Sequence, residues 1–267
     1  SDYMIARMIE EDMLEPLNFD NIPNFADIDP ELKNPEYDPE NLYSVPYMWG
    51  LMGVIYNKTM VDEADLGSWD LLWNEKYADD IVMIDNSRDA IGIALKRLGC
   101  SYNTTDTAQI TEAVDTLIAQ KPILQGYVMD EVFGKMEGAN AAIGTYYYGD
   151  YLTMLENNPD LGFYIPEEGT NIYVDAMCIL KSAPNKENAE AFINYMCSTE
   201  AGLKNCEEIW YSTPLMSVRE ELDPEVSSDP LAYPDETIMA QCESYAGLPQ
   251  EILDLYDSEW TRLKSAN

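Results

Sequence analysis

The sequence predicts an α/β fold with a largely parallel sheet. Two observations carry this. Short apolar strands alternate along the chain with helices of 3.6-residue period. The 267 residues are 46% hydrophobic, with 19 Tyr, 14 Met and 5 Trp, enough to build a core of one large domain or two lobes.

The strands are expected over residues 45–56, 81–84, 141–147, 162–165 and 172–180. The helices show as apolar stripes. Ile91, Ala94, Leu95 and Leu98 share one face, as do Ala113, Val114, Leu117 and Ile118. Ala189, Phe192, Ile193 and Met196 repeat the pattern. Ile252, Tyr256, Trp260 and Leu263 form the last stripe, with Pro249 at its expected first helical position. Residues 18–43 and 222–234 are rich in Pro, Asn and Asp and read as irregular surface chain, not as flexible linkers.

Charge excludes several functions. With 50 Asp+Glu, 15 Lys+Arg and no histidine, the net charge is −35. Nucleic acid and anionic membranes need a basic face. Histidine triads, histidine metal sites and histidine pH switches are absent. No apolar run approaches the roughly 20 residues of a membrane-spanning helix. No Walker A, G-x-S-x-G or G-x-G-x-x-G motif occurs, so no catalytic residue, cofactor or resident metal is expected. Cys100, Cys178, Cys197, Cys206 and Cys242 form no C-x-x-C pair. A bridge among Cys197, Cys206 and Cys242 is one of the pairings that spacing leaves open.

The chemistry lies in carboxylates beside aromatic rings. Tyr146-Tyr147-Tyr148-Gly149-Asp150 closes one strand, and Tyr173 and Asp175, two apart in another, share a face. A π face with a negative charge suits an organic cation, the ring contributing about 0.5–2 kcal/mol and the carboxylate a charge-assisted bond. The same spacing also fits core-edge tyrosines and a solvated strand acid. Asp85-Asn86-Ser87-Arg88-Asp89, between a strand and a helix, fits both an N-cap and a loop facing a ligand cleft.

Several stretches resemble one family in order. Tyr43-Ser44-Val45-Pro46-Tyr47-Met48-Trp49-Gly50, continuing to Gly53-Val54-Ile55-Tyr56-Asn57, is similar to the hinge strand of the spermidine/putrescine-binding proteins of ABC transporters. The stretch from Ser68 to Tyr77 resembles the helix that follows it there. Met136-Glu137-Gly138, Pro166-Glu167-Glu168-Gly169, Tyr173-Val174-Asp175, Tyr211-Ser212-Thr213-Pro214 and the closing Trp260-Thr261-Arg262 follow in the family's order.

The resemblance implies a periplasmic-binding-protein type II fold, two lobes with a hinge. One lobe would take residues 1–50 and 174–219, the other 51–173 and 220–267. It implies a substrate-binding component that captures putrescine or spermidine in the inter-lobe cleft and delivers it to a membrane permease, with an extracytoplasmic location. The implied ligand-binding residues are Ser1, Tyr3, Asn86, Asp89, Tyr147, Tyr173, Asp175 and Tyr245, with Tyr146 as the alternative register to Tyr147. Asn86 stands where the family has an acid, and Tyr147 and Tyr173 where it has Trp. The chain opens at a point well inside the family's first lobe. That lobe is therefore expected to be incomplete, with the full-length protein membrane-anchored or fused to the permease and a dimer or strand exchange covering exposed edges. The adjacent tyrosines also suggest ferric-ion transport on the same fold.

Overall fold

The computed structural model describes residues 1–266. The strands are β1 (Ser44–Asn57), β2 (Ile81–Ile84), β3 (Leu124–Val128), β4 (Ile143–Tyr147), β5 (Leu161–Tyr164), β6 (Asn171–Cys178) and β7 (Glu243–Ser244). The longer helices before the middle of the chain are α1 (Asp2–Glu10), α2 (Ser87–Arg97), α3 (Thr107–Gln120), α4 (Glu131–Glu137) and α5 (Tyr148–Asn157). The rest are α6 (Lys186–Met196), α7 (Thr199–Ile209), α8 (Met216–Glu221), α9 (Pro224–Ser227), α10 (Glu236–Met239) and α11 (Gln250–Ser265). Ser68 to Tyr77, expected as one helix, forms two 3₁₀ helices, Trp69–Trp73 and Glu75–Tyr77, because the Asn74 side chain caps Lys76 N–H and restarts the turn. Among the described residues no helix is long and apolar enough to cross a membrane.

The chain forms two compact units. The first comprises Ser1–Gly50, Ile172–Pro234 and Ser244–Gly247; the second comprises Leu51–Asn171, Asp235–Glu243 and the segment from Leu248 onward. Residues 220–234, assigned above to the second lobe, pack with the first unit. Ser212 Oγ donates to the Ala232 carbonyl at 2.7 Å, and Thr213 N–H donates to the Tyr233 hydroxyl at 3.2 Å.

In the second unit the sheet is mixed, not largely parallel. β2 runs parallel to β3 and β4, but β1 runs antiparallel to both β4 and β5. Val54 pairs with Thr145 on one edge and Tyr164 on the other. β4, α5 and β5 therefore form a crossover with β1 inserted between its strands. Alternation in the sequence shows that consecutive strands run the same way; it does not show that they are neighbours.

β1 is buried over most of its length, as its near-continuous apolar run requires for a strand covered on both faces. α2, α3 and α11 pack together, burying Ile91, Leu95, Ile110, Leu117, Ile252 and Leu263. Pro249 precedes α11 as its N-cap and is not its first helical residue, a shift of one position that its extended ψ of 146° enforces. Gly92 in α2 leaves room for the fully buried Tyr102 ring, which a Cβ there would overlap. Gly92→Ala is expected to destabilise the protein by about 1–2 kcal/mol, read from urea unfolding. An unchanged midpoint would show that the ring moves aside freely.

The first unit has two apolar clusters. Ile28, Val45, Met48, Ile193, Leu215 and Val218 lie in the larger. Ile5, Ala6, Leu14 and Tyr37 form the smaller, beneath α1. The α6 stripe holds at Ile193, which is buried, and at Ala189, which packs on the same cluster, but Phe192 is 60% exposed and Glu190 is 1% exposed. Glu190 turns inward because Asn18 N–H and Asn21 Nδ2 donate to its carboxylate at 2.8 and 2.6 Å. Those partners lie far away in sequence, so the helix period alone does not show that Glu190 is buried. All five cysteines are free thiols, and no bridge joins Cys197, Cys206 and Cys242.

Asp38 holds the Pro-rich segment to the head of β1. It is 3% exposed, and its carboxylate accepts from the backbone N–H groups of Leu42, Tyr43 and Ser44 at 2.9, 3.0 and 2.9 Å. The Ser44 hydroxyl donates a fourth bond at 2.8 Å. The stretch expected as irregular surface chain is thus fixed by one buried acid.

Candidate functional site

In the second unit, β2 leads into α2 through Asn86. The Asn86 side-chain oxygen accepts from Arg88 and Asp89 N–H at 2.9 and 3.3 Å, which makes it the N-cap. Its oxygen is used there, so the amide NH₂ is the end left to face other groups. The cap sets Asp89 in the first turn, where the helix dipole favours a carboxylate. Asp89 is 3% exposed. The Tyr147 hydroxyl, at the end of β4, donates to its Oδ2 at 2.9 Å. A buried carboxylate and a half-buried ring, 58 residues apart in sequence, thus stand side by side.

Tyr147, not Tyr146, meets Asp89. Tyr146 alternates to the other face of β4, with its hydroxyl 3.5 Å from Asp130 Oδ1 and its ring 6.0 Å from Phe133. The two tyrosine rings lie 5.0 Å apart and tilted. Burial first, then the Asp150 and Asp130 carboxylates, hold the Tyr146 phenol above its ordinary pKa. Asp130 and Asp150 are not among the ligand-binding residues expected from the sequence. Asp150 sits inside the quoted tyrosine run and was the available signal; Asp130 had none.

The ferric reading is not favoured by this geometry. Tyr148 starts α5 and packs on Tyr151 and Phe163, with ring distances of 5.7 and 5.1 Å, away from the Tyr146 and Tyr147 partners. Three adjacent tyrosines therefore do not converge. Among the described residues no group of three or more His, Cys, Asp or Glu is placed to hold a metal.

In the first unit, the other expected residues fall into two sets. Ser1 and Tyr3 begin α1, and the Tyr3 ring stands edge-on to Tyr245 at 5.8 Å. Ser1 lies beside the half-exposed Asp175 carboxylate. Tyr173 and Asp175 occupy alternate positions of β6. Tyr173 is buried against Tyr211, ring to ring at 5.5 Å, and its hydroxyl sits where a Cβ on Gly50 would be, 2.5 Å away. Tyr211 was quoted as part of a motif but not as a site residue; its contact with Tyr173 is non-local.

The residue types are those for cation recognition: rings beside carboxylates, one of them nearly sealed from water. Comparison with known proteins agrees. The family described as bacterial extracellular solute-binding protein matches residues 1–242. The spermidine/putrescine-binding periplasmic protein of Salmonella typhimurium is 30% identical over 268 aligned positions, covering 99% of this chain and 76% of the relative. That of Escherichia coli K12 is also 30% identical, with the same coverage. The crystal structure of the spermidine/putrescine ABC transporter substrate-binding protein PotD from Streptococcus pneumoniae superposes with a TM-score of 0.88 at 38% identity. It covers 98% of this chain and 81% of that one.

Proposed function

From the premise that this chain belongs to the bacterial extracellular solute-binding proteins, with the type II periplasmic-binding-protein fold, we propose that it binds putrescine or spermidine and delivers it to an ABC-transporter permease. The relatives are transport-associated binding proteins, and the reading is binding without turnover, outside the cytoplasm. The two compact units act as the two lobes of the fold.

One observation carries the proposal: Asp89, 3% exposed, with Tyr147 bonded to it at 2.9 Å. A carboxylate this buried is stabilised by a cation that replaces its lost water, and the neighbouring ring offers that cation a π face. In the first unit Asp175 takes a second amine, with Tyr3, Tyr173 and Tyr245 as apolar and aromatic surroundings. Ser1 and Asn86 supply uncharged polar contacts. Asn86 offers a donor where a carboxylate would offer acceptors, which lowers the number of ammonium groups the second unit can pair. The net charge of −35 raises the local concentration of a polycation, within the roughly 8–10 Å that salt leaves unscreened.

Calorimetry with putrescine and spermidine tests the reading. Both are expected to bind, and each is recovered unchanged. Asp175→Asn is expected to weaken binding about tenfold, about 1.4 kcal/mol, by removing one charge at constant shape. Heat from neither amine at millimolar concentration would remove the proposal. A dissociation constant untouched by Asp175→Asn would make Asp175 a solvated strand acid.

A further inference from the structure

The first unit holds a second cavity, of about 400 Å³, that the polyamine reading does not use. Its lining includes Asp29, Trp49, Met216, Arg219, Glu220 and Tyr233. The size is within the usual range of small-molecule sites. Tyr233 is 9% exposed and is held by Thr213 N–H, which donates to its hydroxyl at 3.2 Å. Trp49 stands edge-on to that ring at 6.1 Å and donates its Nε1–H to the Thr213 carbonyl at 3.2 Å. These bonds fix both aromatic walls before any ligand arrives.

Arg219 lies over the Tyr233 ring, its guanidinium carbon 4.1 Å from the centroid. Among the described residues no carboxylate comes within ion-pair distance of it, although acids outnumber bases 50 to 15 in the chain. A guanidinium stacked on a ring keeps its in-plane N–H edge open for a carboxylate. The chemistry of the other walls narrows the class. Asp29 is half-buried and belongs to the lining; its Oδ1 accepts from Glu31 N–H at 3.0 Å, and Oδ2 is not used in that bond. A simple anion would meet Asp29, Glu220 and the field of a strongly acidic protein. A simple cation would meet Arg219. A molecule carrying both charges satisfies each wall, and an apolar body suits Trp49, Leu215 and Met216.

We propose that this cavity binds a small apolar amino acid as its zwitterion, the carboxylate on Arg219 and the ammonium on Asp29. The cavity lining contains none of the proposed polyamine residues.

The test is saturation-transfer NMR on the protein kept saturated with putrescine, using L-leucine and its two half-molecules, 4-methylpentanoate and 3-methylbutylamine. L-leucine is expected to bind at millimolar concentration, and both half-molecules much more weakly. Arg219→Gln is expected to weaken leucine binding about tenfold or more, and Asp29→Asn likewise. Arg219→Gln keeps the parent melting temperature and the parent affinity for putrescine, so a failure here is separate from a failure of the polyamine reading. Absence of leucine binding at millimolar concentration overturns the proposal. So does leucine binding that Arg219→Gln leaves unchanged, or a half-molecule that binds as well as leucine.

Discussion

Asp89→Asn is expected to weaken polyamine binding roughly 30- to 150-fold, about 2–3 kcal/mol, with little change in stability. The substitution keeps the shape of the side chain. Its remaining oxygen still accepts from the Tyr147 hydroxyl, a bond of 2.9 Å in the parent. The backbone N–H of residue 89 still reaches the Asn86 cap. The charge is lost, and one acceptor oxygen becomes an NH₂ donor. At a position 3% exposed, that charge is poorly screened by water, so its attraction for an ammonium is larger than that of half-exposed Asp175. Calorimetry gives the affinity and a melting scan the stability. An affinity within about twofold of the parent would mean that the Asp89–Tyr147 pair is a structural bond and not a binding element.

Asp38→Ala is expected to cost about 3–5 kcal/mol of stability in the first unit. Four donors lose their acceptor at once: the N–H groups of Leu42, Tyr43 and Ser44, and the Ser44 hydroxyl. Ser44 is fully buried, so water does not replace the lost oxygen without opening the head of β1. Asp38→Asn is a sharper probe. It keeps one acceptor but turns an NH₂ group toward donors, so an intermediate loss is expected. Urea unfolding followed by circular dichroism reads both, with separate transitions for the two units if they unfold apart. A loss below about 1 kcal/mol for Asp38→Ala would show that the segment repacks around the gap.

The elements that were legible share a property: their signals are local. β2 is a short apolar run, and α2 and α3 carry full stripes, all found in the structure. The elements that were not legible lack it. β3, Leu-Gln-Gly-Tyr-Val, is only half-buried and shows no clean alternation. α5 begins inside the tyrosine run, which reads equally well as strand. α1 is a short amphipathic segment with no side-chain cap to mark its start. Phe192, expected on the buried stripe, is exposed, and Glu190 is buried because two asparagines from residues 18–21 donate to the acid.

The candidate site divides the same way. The Asn86 cap spans two and three residues, so the local bonds that place Asp89 in a first turn follow from residue order. The family's ordered motifs named the residue types that bind amines. Residue order did not decide that Tyr147 and not Tyr146 meets Asp89, that Tyr173 packs on Tyr211, or that Tyr3 meets Tyr245. Each of these contacts joins segments tens to hundreds of residues apart. Their geometry depends on which strands are neighbours, and β1 settles that in the second unit by lying between β4 and β5. Hydrogen bonds within a turn are set by the chain's own dihedral angles, whereas contacts between distant segments exist only once the core has packed.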